Sequence, residues 1–254
     1  MSARGFTLIE LVIAIAIGSI VVVFAAMFIG APLGAYEAHS RRATLVAETS
    51  AVWPRLETDL HAALPNSLRT RRNGAFVVIE LLRVIEVVRY IDPPSASFRV
   101  VGSVGAIPGY LSVMPGADVY APGGSLASAA GFTIAAEGAP GEYRVTLSAA
   151  PSVAASPRQR LYFVEGPVTY LCDEGQGTLR RYANYAVAQF QTARDTPAEM
   201  GGAGELVTQG LTSCNFVVDP VVGNPFQTAA IHLTTTRSGD SVTLLHTARA
   251  EHAP

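Results

Sequence analysis

Arg4-Gly5-Phe6-Thr7-Leu8-Ile9-Glu10-Leu11-Val12-Ile13 opens an apolar run that continues to about Ile29. A secretory signal peptide places its small residues and cleavage site after the apolar stretch, whereas here a short basic leader, residues 1–5, lies before it. The apolar segment is therefore expected to stay in the chain. As a helix, residues 6–29 would rise roughly 36 Å at about 1.5 Å per residue, enough for a hydrocarbon core of about 30 Å. Its one charge is Glu10. A carboxylate in hydrocarbon costs about 2.5–3.5 kcal/mol on insertion scales and more by other estimates, so such a residue needs a partner.

Beyond the span, Gly30-Ala31-Pro32-Leu33-Gly34 interrupts helix propensity and predicts a kink or soft spot. The helix is expected to resume from Tyr36, because Leu45, Val52, Leu56, Leu60 and Leu64 recur at intervals of seven and four and form one stripe. That face should pack on a sheet. Pro54 should bend the helix and Pro65-Asn66 should end it, while Glu37 with Arg41 and Glu57 with His61 are spaced as surface i,i+4 pairs.

From about residue 75 the period changes. Residues 75–82 and 85–91 are rich in β-branched side chains and read as two strands, which Asn73-Gly74 and Pro93-Pro94 bound. A continuous helix competes there, supported by Glu80 with Arg83 and Glu86 with Arg89 at i,i+3. Residues 132–136 and 143–147 flank a Gly- and Pro-containing turn and predict a hairpin, as do 162–172 with 178–182 and 229–236 with 241–248. Segments 102–124, 148–157 and 195–204 are rich in Gly, Ala, Pro and Ser and read as loops. One long N-terminal helix followed by antiparallel strands is an α+β order.

The stretch Gly5-Phe6-Thr7-Leu8-Ile9-Glu10-Leu11 resembles the N-terminal signal of type IV prepilins and of the pseudopilins of type II secretion. The resemblance implies the pilin fold, a long helix packed on an antiparallel β-sheet head. It also implies that a prepilin peptidase cuts between Gly5 and Phe6 and methylates the new amine of Phe6, leaving Glu10 as the assembly charge. The physical reading agrees, since the amine of one subunit would compensate the buried Glu10 of a neighbour only when subunits stack. On this reading residues 1–5 are the leader, 6–30 the transmembrane and assembly helix, 31–65 its amphipathic continuation and 66–254 a β-rich head. Arg4 before the span favours a cytoplasmic N-terminus and hence a periplasmic head anchored in the bacterial inner membrane; Arg41-Arg42 on the far side weigh against this, and the orientation leans on the resemblance. Arg160-Leu161-Tyr162-Phe163-Val164, Val168-Thr169-Tyr170-Leu171-Cys172-Asp173, Gly177-Thr178-Leu179-Arg180-Arg181-Tyr182, Thr212-Ser213-Cys214-Asn215-Phe216 and Val242-Thr243-Leu244-Leu245-His246 narrow it. They look like the large minor pilins of the MshO type in mannose-sensitive haemagglutinin (MSHA) pilus biogenesis, and less closely like J-type pseudopilins.

Composition fits an exported globular head. With 254 residues, 15% charged and a net charge of −2, the part beyond the helix can bury a core as one domain. All 18 basic residues are Arg, which reads as coding bias. The two cysteines, Cys172 and Cys214, form a disulfide in an oxidising compartment more readily than a metal site, which needs more ligands at tighter spacing. Closing a loop of about 40 residues would stabilise by roughly 3–4 kcal/mol.

The sequence contains no HExxH, GxSxG, Walker-type loop or EF-hand pattern, and it proposes no reaction, cofactor or metal. His39, His61, His232, His246 and His252 are scattered, and Asp173-Glu174 is at most a weak calcium candidate. The expected role is a structural subunit that initiates or caps a filament together with other minor and major pilin subunits. Two other readings stand beside it: a tip-located binding module using Arg69, Arg71, Arg72, Arg180 and Arg181 with Tyr182 and Tyr185, and a membrane-anchored periplasmic enzyme. Net negative charge argues against a general nucleic-acid binder, and no small-molecule substrate is implied.

Overall fold

Leu8 begins a helix, α1 (Leu8–Ser50), that carries 43 residues without a break in its backbone assignment. The structure, a computed structural model, describes residues 7–105, 109–116, 119–150, 156–219 and 227–250, and only the backbone of 29–33 and 129. The chain divides into two units, Met1–Ala47 and Glu48–Pro254, each described in turn. In the first, the helix runs through Gly30-Ala31-Pro32-Leu33-Gly34, where the sequence predicts a soft spot, and does not need to resume at Tyr36. The absence of one N–H at Pro32 does not end a long cooperative ladder that good helix formers extend on both sides.

In the second unit the helical backbone stops at Ser50 and restarts as α2 (Trp53–His61), with Pro54 in its first turn. A proline there lacks only an N–H that has no intrahelical partner at a helix start, so the sequence bend at Pro54 is realised as a break just before it. Leu56 and Leu60 of α2 are fully buried together with Val52, and Glu57 faces His61 at 3.9 Å on the outer side.

Thirteen strands follow among the described residues. They are β1 (Arg69–Asn73), β2 (Phe76–Tyr90), β3 (Ser97–Val101), β4 (Tyr110–Ser112), β5 (Leu126–Ser128), β6 (Phe132–Ala136), β7 (Glu142–Leu147), β8 (Arg160–Asp173), β9 (Thr178–Tyr182), β10 (Glu205–Gln209), β11 (Leu211–Val218), β12 (Thr228–Arg237) and β13 (Asp240–Arg249). A ten-stranded sheet has the order β10-β9-β8-β2-β3-β7-β6, with β1 also on β2, β4 on β8 and β5 on β4. A second sheet has the order β11-β12-β13, and every named pairing is antiparallel. The architecture is an N-terminal apolar helix followed by a large antiparallel β domain, broadly α+β with a small helical share.

The three predicted hairpins form as β6–β7, β8–β9 and β12–β13. Two expectations fail. Residues 76–90 make one strand instead of two, because β8, 14 residues against the 15 of β2, pairs with them from Phe76↔Asp173 to Arg89↔Arg160 and the suspected break is absorbed as register shifts at Arg83, Val84 and Glu86. The helical alternative fails for the same reason. Segment 102–124 is not all loop: β4 lies inside it and is held by pairing with β8 and β5, information that a three-residue stretch cannot carry alone.

The main core lies where α2 meets both sheets: Leu56 and Leu60 pack with Ile79, Leu81, Val168 and Tyr170 of the larger sheet and with Ile231 and Leu233 of the smaller. A second cluster, with Tyr90, Phe98, Val100, Phe132, Val145 and Phe163, fills the other end of the β2–β8 ribbon. The long ribbon also contributes Leu82, Val84, Tyr162 and Val164 to a third cluster and Val78 and Leu171 to a fourth.

Candidate functional site

From Leu8 to Phe28 the helix is apolar on every side over 21 residues, and none of this stretch is buried within the chain. A helix that is hydrophobic all round needs an apolar surrounding, and about 1.5 Å per residue makes this one about 32 Å long, the thickness of a bilayer core. Ser19 satisfies its hydroxyl within the helix by donating to the Ala16 carbonyl at 2.9 Å. Glu10, in the first turn, is the single charge. Its amide is held by the Thr7 carbonyl at 3.1 Å and the Thr7 hydroxyl at 3.4 Å, which opens the helix, while its side chain is exposed. A negative group at a helix N-terminus is favoured by the helix dipole, and in hydrocarbon it would call for a counter-charge as well. Gly5 and Phe6, where the sequence places leader cleavage and methylation, lie outside the described residues.

In the head, Cys172 of β8 and Cys214 of β11 form a buried disulfide with Cα atoms 6.4 Å apart, joining the larger sheet to the smaller. Beside it Glu174 accepts from Arg72 Nη1 at 2.7 Å and from the Cys214 amide at 3.0 Å. The Arg72 hydrogen bond is the first cause that holds the Glu174 carboxyl below the ordinary range. Asp173 accepts from the amides of Gly175 and Gln176, the usual business of a turn carboxylate.

The arginines that the sequence offers as a binding surface are engaged by the protein itself. Arg69 Nη2 donates to the fully buried Glu80 at 2.7 Å, Arg71 Nε to the buried Asp195 at 2.6 Å, and Arg181 Nε to the buried Asp59 at 2.6 Å. Arg180 donates to the Gly204 carbonyl at 2.9 Å, and Arg69 also reaches the carbonyls of Ala188 and Gln189. Tyr182 is core, and Tyr185 meets Thr169 at 2.5 Å. The set is neither a free polyanion surface nor a merely solvated face. It ties loops to the sheet.

Sequence reasoning missed the carboxylates that organise this. Glu80 stands alone in the apolar run Val77-Val78-Ile79-Glu80-Leu81-Leu82, a signal that a strand reading could have used. Burial is the first cause that raises the Glu80 carboxyl above its ordinary value, with Arg69 opposing. Asp59 gave no signal: on α2 it accepts from Tyr170 Oη at 2.7 Å as well as from Arg181, and burial, then the Asp59 charge, raise the Tyr170 phenol and keep it a donor. His61, His232 and His246 sit on different elements, His246 stacks on Trp53 at 4.8 Å, and His252 is outside the described residues. Among the described residues no group of three His, Cys, Asp or Glu side chains is placed to hold a metal ion.

A family model described as the prokaryotic N-terminal methylation motif matches residues 1–26. No curated protein and no solved structure matches the chain. The match covers residues 1–26, about a tenth of the chain, and this N-terminal motif is similar to that of type IV pilin-like proteins and pseudopilins, which prepilin peptidase processes.

Proposed function

We propose that the chain is a minor pilin that helps initiate or cap an MSHA-like type IV pilus. Prepilin peptidase cuts between Gly5 and Phe6 and methylates Phe6; residues 6–30 hold the subunit in the inner membrane with its head in the periplasm, and then carry it into the filament. The observation that carries this reading is the methylation-motif match at residues 1–26 on a helix whose single charge within the span is Glu10. A minor role is favoured by the head itself, since a large β domain with several long loops would crowd a helical array of identical copies. We assign the head a structural role with no catalytic step, cofactor or metal.

The test is immunogold labelling of sheared surface filaments from cells carrying an epitope-tagged copy, with filament counts in a deletion strain. Label confined to filament ends and few filaments in the deletion are expected. A secretion defect with normal surface filaments would replace this reading with a type II secretion pseudopilin.

A further inference from the structure

β13 is an edge of the smaller sheet: it pairs with β12 in unbroken register from Thr228↔Arg249 to Arg237↔Asp240, and no described strand lies on its other side. The Ala250 amide donates to the Gln227 carbonyl at 3.0 Å, which sets the phase of the ladder. Backbone direction alternates along an antiparallel strand, so the even positions of β13 face β12 and Ser241, Thr243, Leu245, Thr247 and Arg249 turn N–H and C=O toward the open edge. Among the described residues, no backbone group bonds to those of Ser241, Thr243, Leu245 or Thr247 at that edge. The side chains of these four are exposed, Leu245 at 60%.

A long bare edge is a template for another strand, and proteins blunt such edges with short strands, charges, proline or bulges. Other edges of this head carry those devices. β1, β5, β6 and β10 are three to five residues long, β1 holds Arg69, Arg71 and Arg72, and β10 is bulged between Leu206 and Thr208. The edge of β11 is filled by side chains, since the Cys214 amide donates to Glu174 at 3.0 Å and its carbonyl accepts from Arg72 at 2.8 Å. β13 runs for ten residues, and between Ser241 and Ala248 it has no proline, acidic residue, lysine, arginine or register shift.

We propose that β13 pairs antiparallel with β13 of a second copy of this chain, about a two-fold axis at Leu245, and joins two three-stranded sheets into one. The strand is complementary to itself in that register. On the exposed face Leu245 meets Leu245 and Thr243 meets Thr247, while on the face where Trp53 stacks on His246, Leu244 meets His246 and Val242 meets Ala248. Apolar and Thr–Thr pairs of this kind stabilise a sheet, and the register sets no like charges directly opposite. The strand ends carry opposite charges, Asp240 and Arg249, so antiparallel pairing brings Arg249 of one copy toward Asp240 of the other, whereas parallel pairing would lay like on like. The outward backbone groups all belong to odd positions, and this register sets odd positions opposite one another. The joined sheet ends on β11 at both sides, where Arg72 and Glu174 fill the edge, so a two-fold pairing closes as a dimer.

The test is sedimentation of the full-length chain in detergent micelles at rising protein concentration. A reversible dimer is expected, and Leu245→Lys, which sets two like charges opposite each other at the axis, should weaken it at least about tenfold while the melting of the monomer stays unchanged. Dimers held by the apolar helix alone would be indifferent to that change. Oxidation should bridge Leu245→Cys to itself, because a hydrogen-bonded antiparallel pair holds Cα atoms about 5.5 Å apart, within disulfide range. Thr243→Cys should bridge to Thr247→Cys in mixed samples and not to itself, since two copies of position 243 lie about 13 Å apart. A monomer at every concentration, an unchanged dimer in Leu245→Lys, or self-bridging of Thr243→Cys as fast as that of Leu245→Cys would overturn the pairing. A benzophenone attached at Leu245→Cys that captures, in membranes of expressing cells, only a polypeptide of another mass would overturn it in favour of a different strand donor.

Discussion

Arg69 and Glu80 are register partners across the β1–β2 hairpin, and Arg69 Nη2 lies 2.7 Å from a Glu80 carboxylate that has no exposed surface. Arg69 is further placed over the Tyr120 ring, 3.6 Å from its centroid, and donates to two carbonyls of the loop after β9. Arg69, fixed by its ion pair with Glu80, therefore fastens the Tyr120 segment and the loop after β9 to the sheet, which is how a head with long loops keeps a defined surface.

Arg69→Ala should cost about 3–5 kcal/mol, because it leaves a buried charge uncompensated, whereas Glu80→Gln should stay within about 1 kcal/mol of the parent near neutrality, since it keeps an acceptor for Arg69 and removes a buried charge. Urea unfolding of the purified full-length chain in detergent measures both. Equal losses would mean that the pair acts only through packing.

The two perturbed glutamates give opposite pH dependences. Burial raises the Glu80 carboxyl, so the folded state holds its proton more tightly than the unfolded chain; its contribution is complete below the ordinary glutamate value and is lost as pH rises through the higher folded value. The Arg72 hydrogen bond lowers Glu174, so its contribution is present above the ordinary value and fades as pH falls through the lower folded one. Unfolding midpoints measured against pH should show Glu80→Gln flattening the decline on the upper side of the glutamate range, and Glu174→Gln flattening the loss on the acid side.

Tyr170→Phe should destabilise by about 1–3 kcal/mol, the cost of removing a hydrogen bond from a buried carboxylate. Asp59→Ala should cost more, about 3–5 kcal/mol, because Arg181 is then left without its partner. If the two variants lose the same amount, Arg181 has found another acceptor and the network is looser than its geometry suggests.

Reduction of the Cys172–Cys214 bond, or replacement of both by Ser, should lower unfolding free energy by roughly 4 kcal/mol on the chain-entropy argument for a loop of this size. Both cysteines are buried, so alkylation of the native chain should find no reactive thiol until reductant and denaturant are added. Free thiols in the oxidised protein would remove this link between the sheets.

Local signals were legible in the sequence and remote ones were not. Ser238 and Gly239 take φ of 53° and 84° in the two-residue turn between Arg237 and Asp240, so a turn readable from composition fixed the β12–β13 register. The unity of β2 depends on β8, about 80 residues later, and no window within residues 76–90 contains that partner. Arg71, Arg72 and Arg181 read as a solvated face or a binding patch because their carboxylates are far along the chain, 124 residues for Arg71 with Asp195, 102 for Arg72 with Glu174 and 122 for Arg181 with Asp59, whereas Glu80, only 11 residues from Arg69, was within reach of a strand reading. The apolar N-terminal helix needed no such partner. The 21 residues of its candidate membrane span, Glu10 among them, are contiguous.

Glu10 offers the sharpest test of the N-terminal reading. Leader removal depends on the residues at the cut, so Gly5→Val should leave an uncleaved chain, visible as a gel shift against the parent. Glu10→Ala keeps that cut intact and removes the only charge in the span, which makes insertion more favourable. The variant should therefore be processed and membrane-bound at normal levels. On the proposed function it would lose the counter-charge for the methylated amine of an adjacent subunit, so the protein should drop out of sheared filaments and filament number should fall. Glu10→Gln, which keeps shape and hydrogen bonding, should fail in the same way. Normal incorporation of both variants would show that the glutamate is not the assembly charge, and packing of the apolar helices would then have to carry assembly unaided.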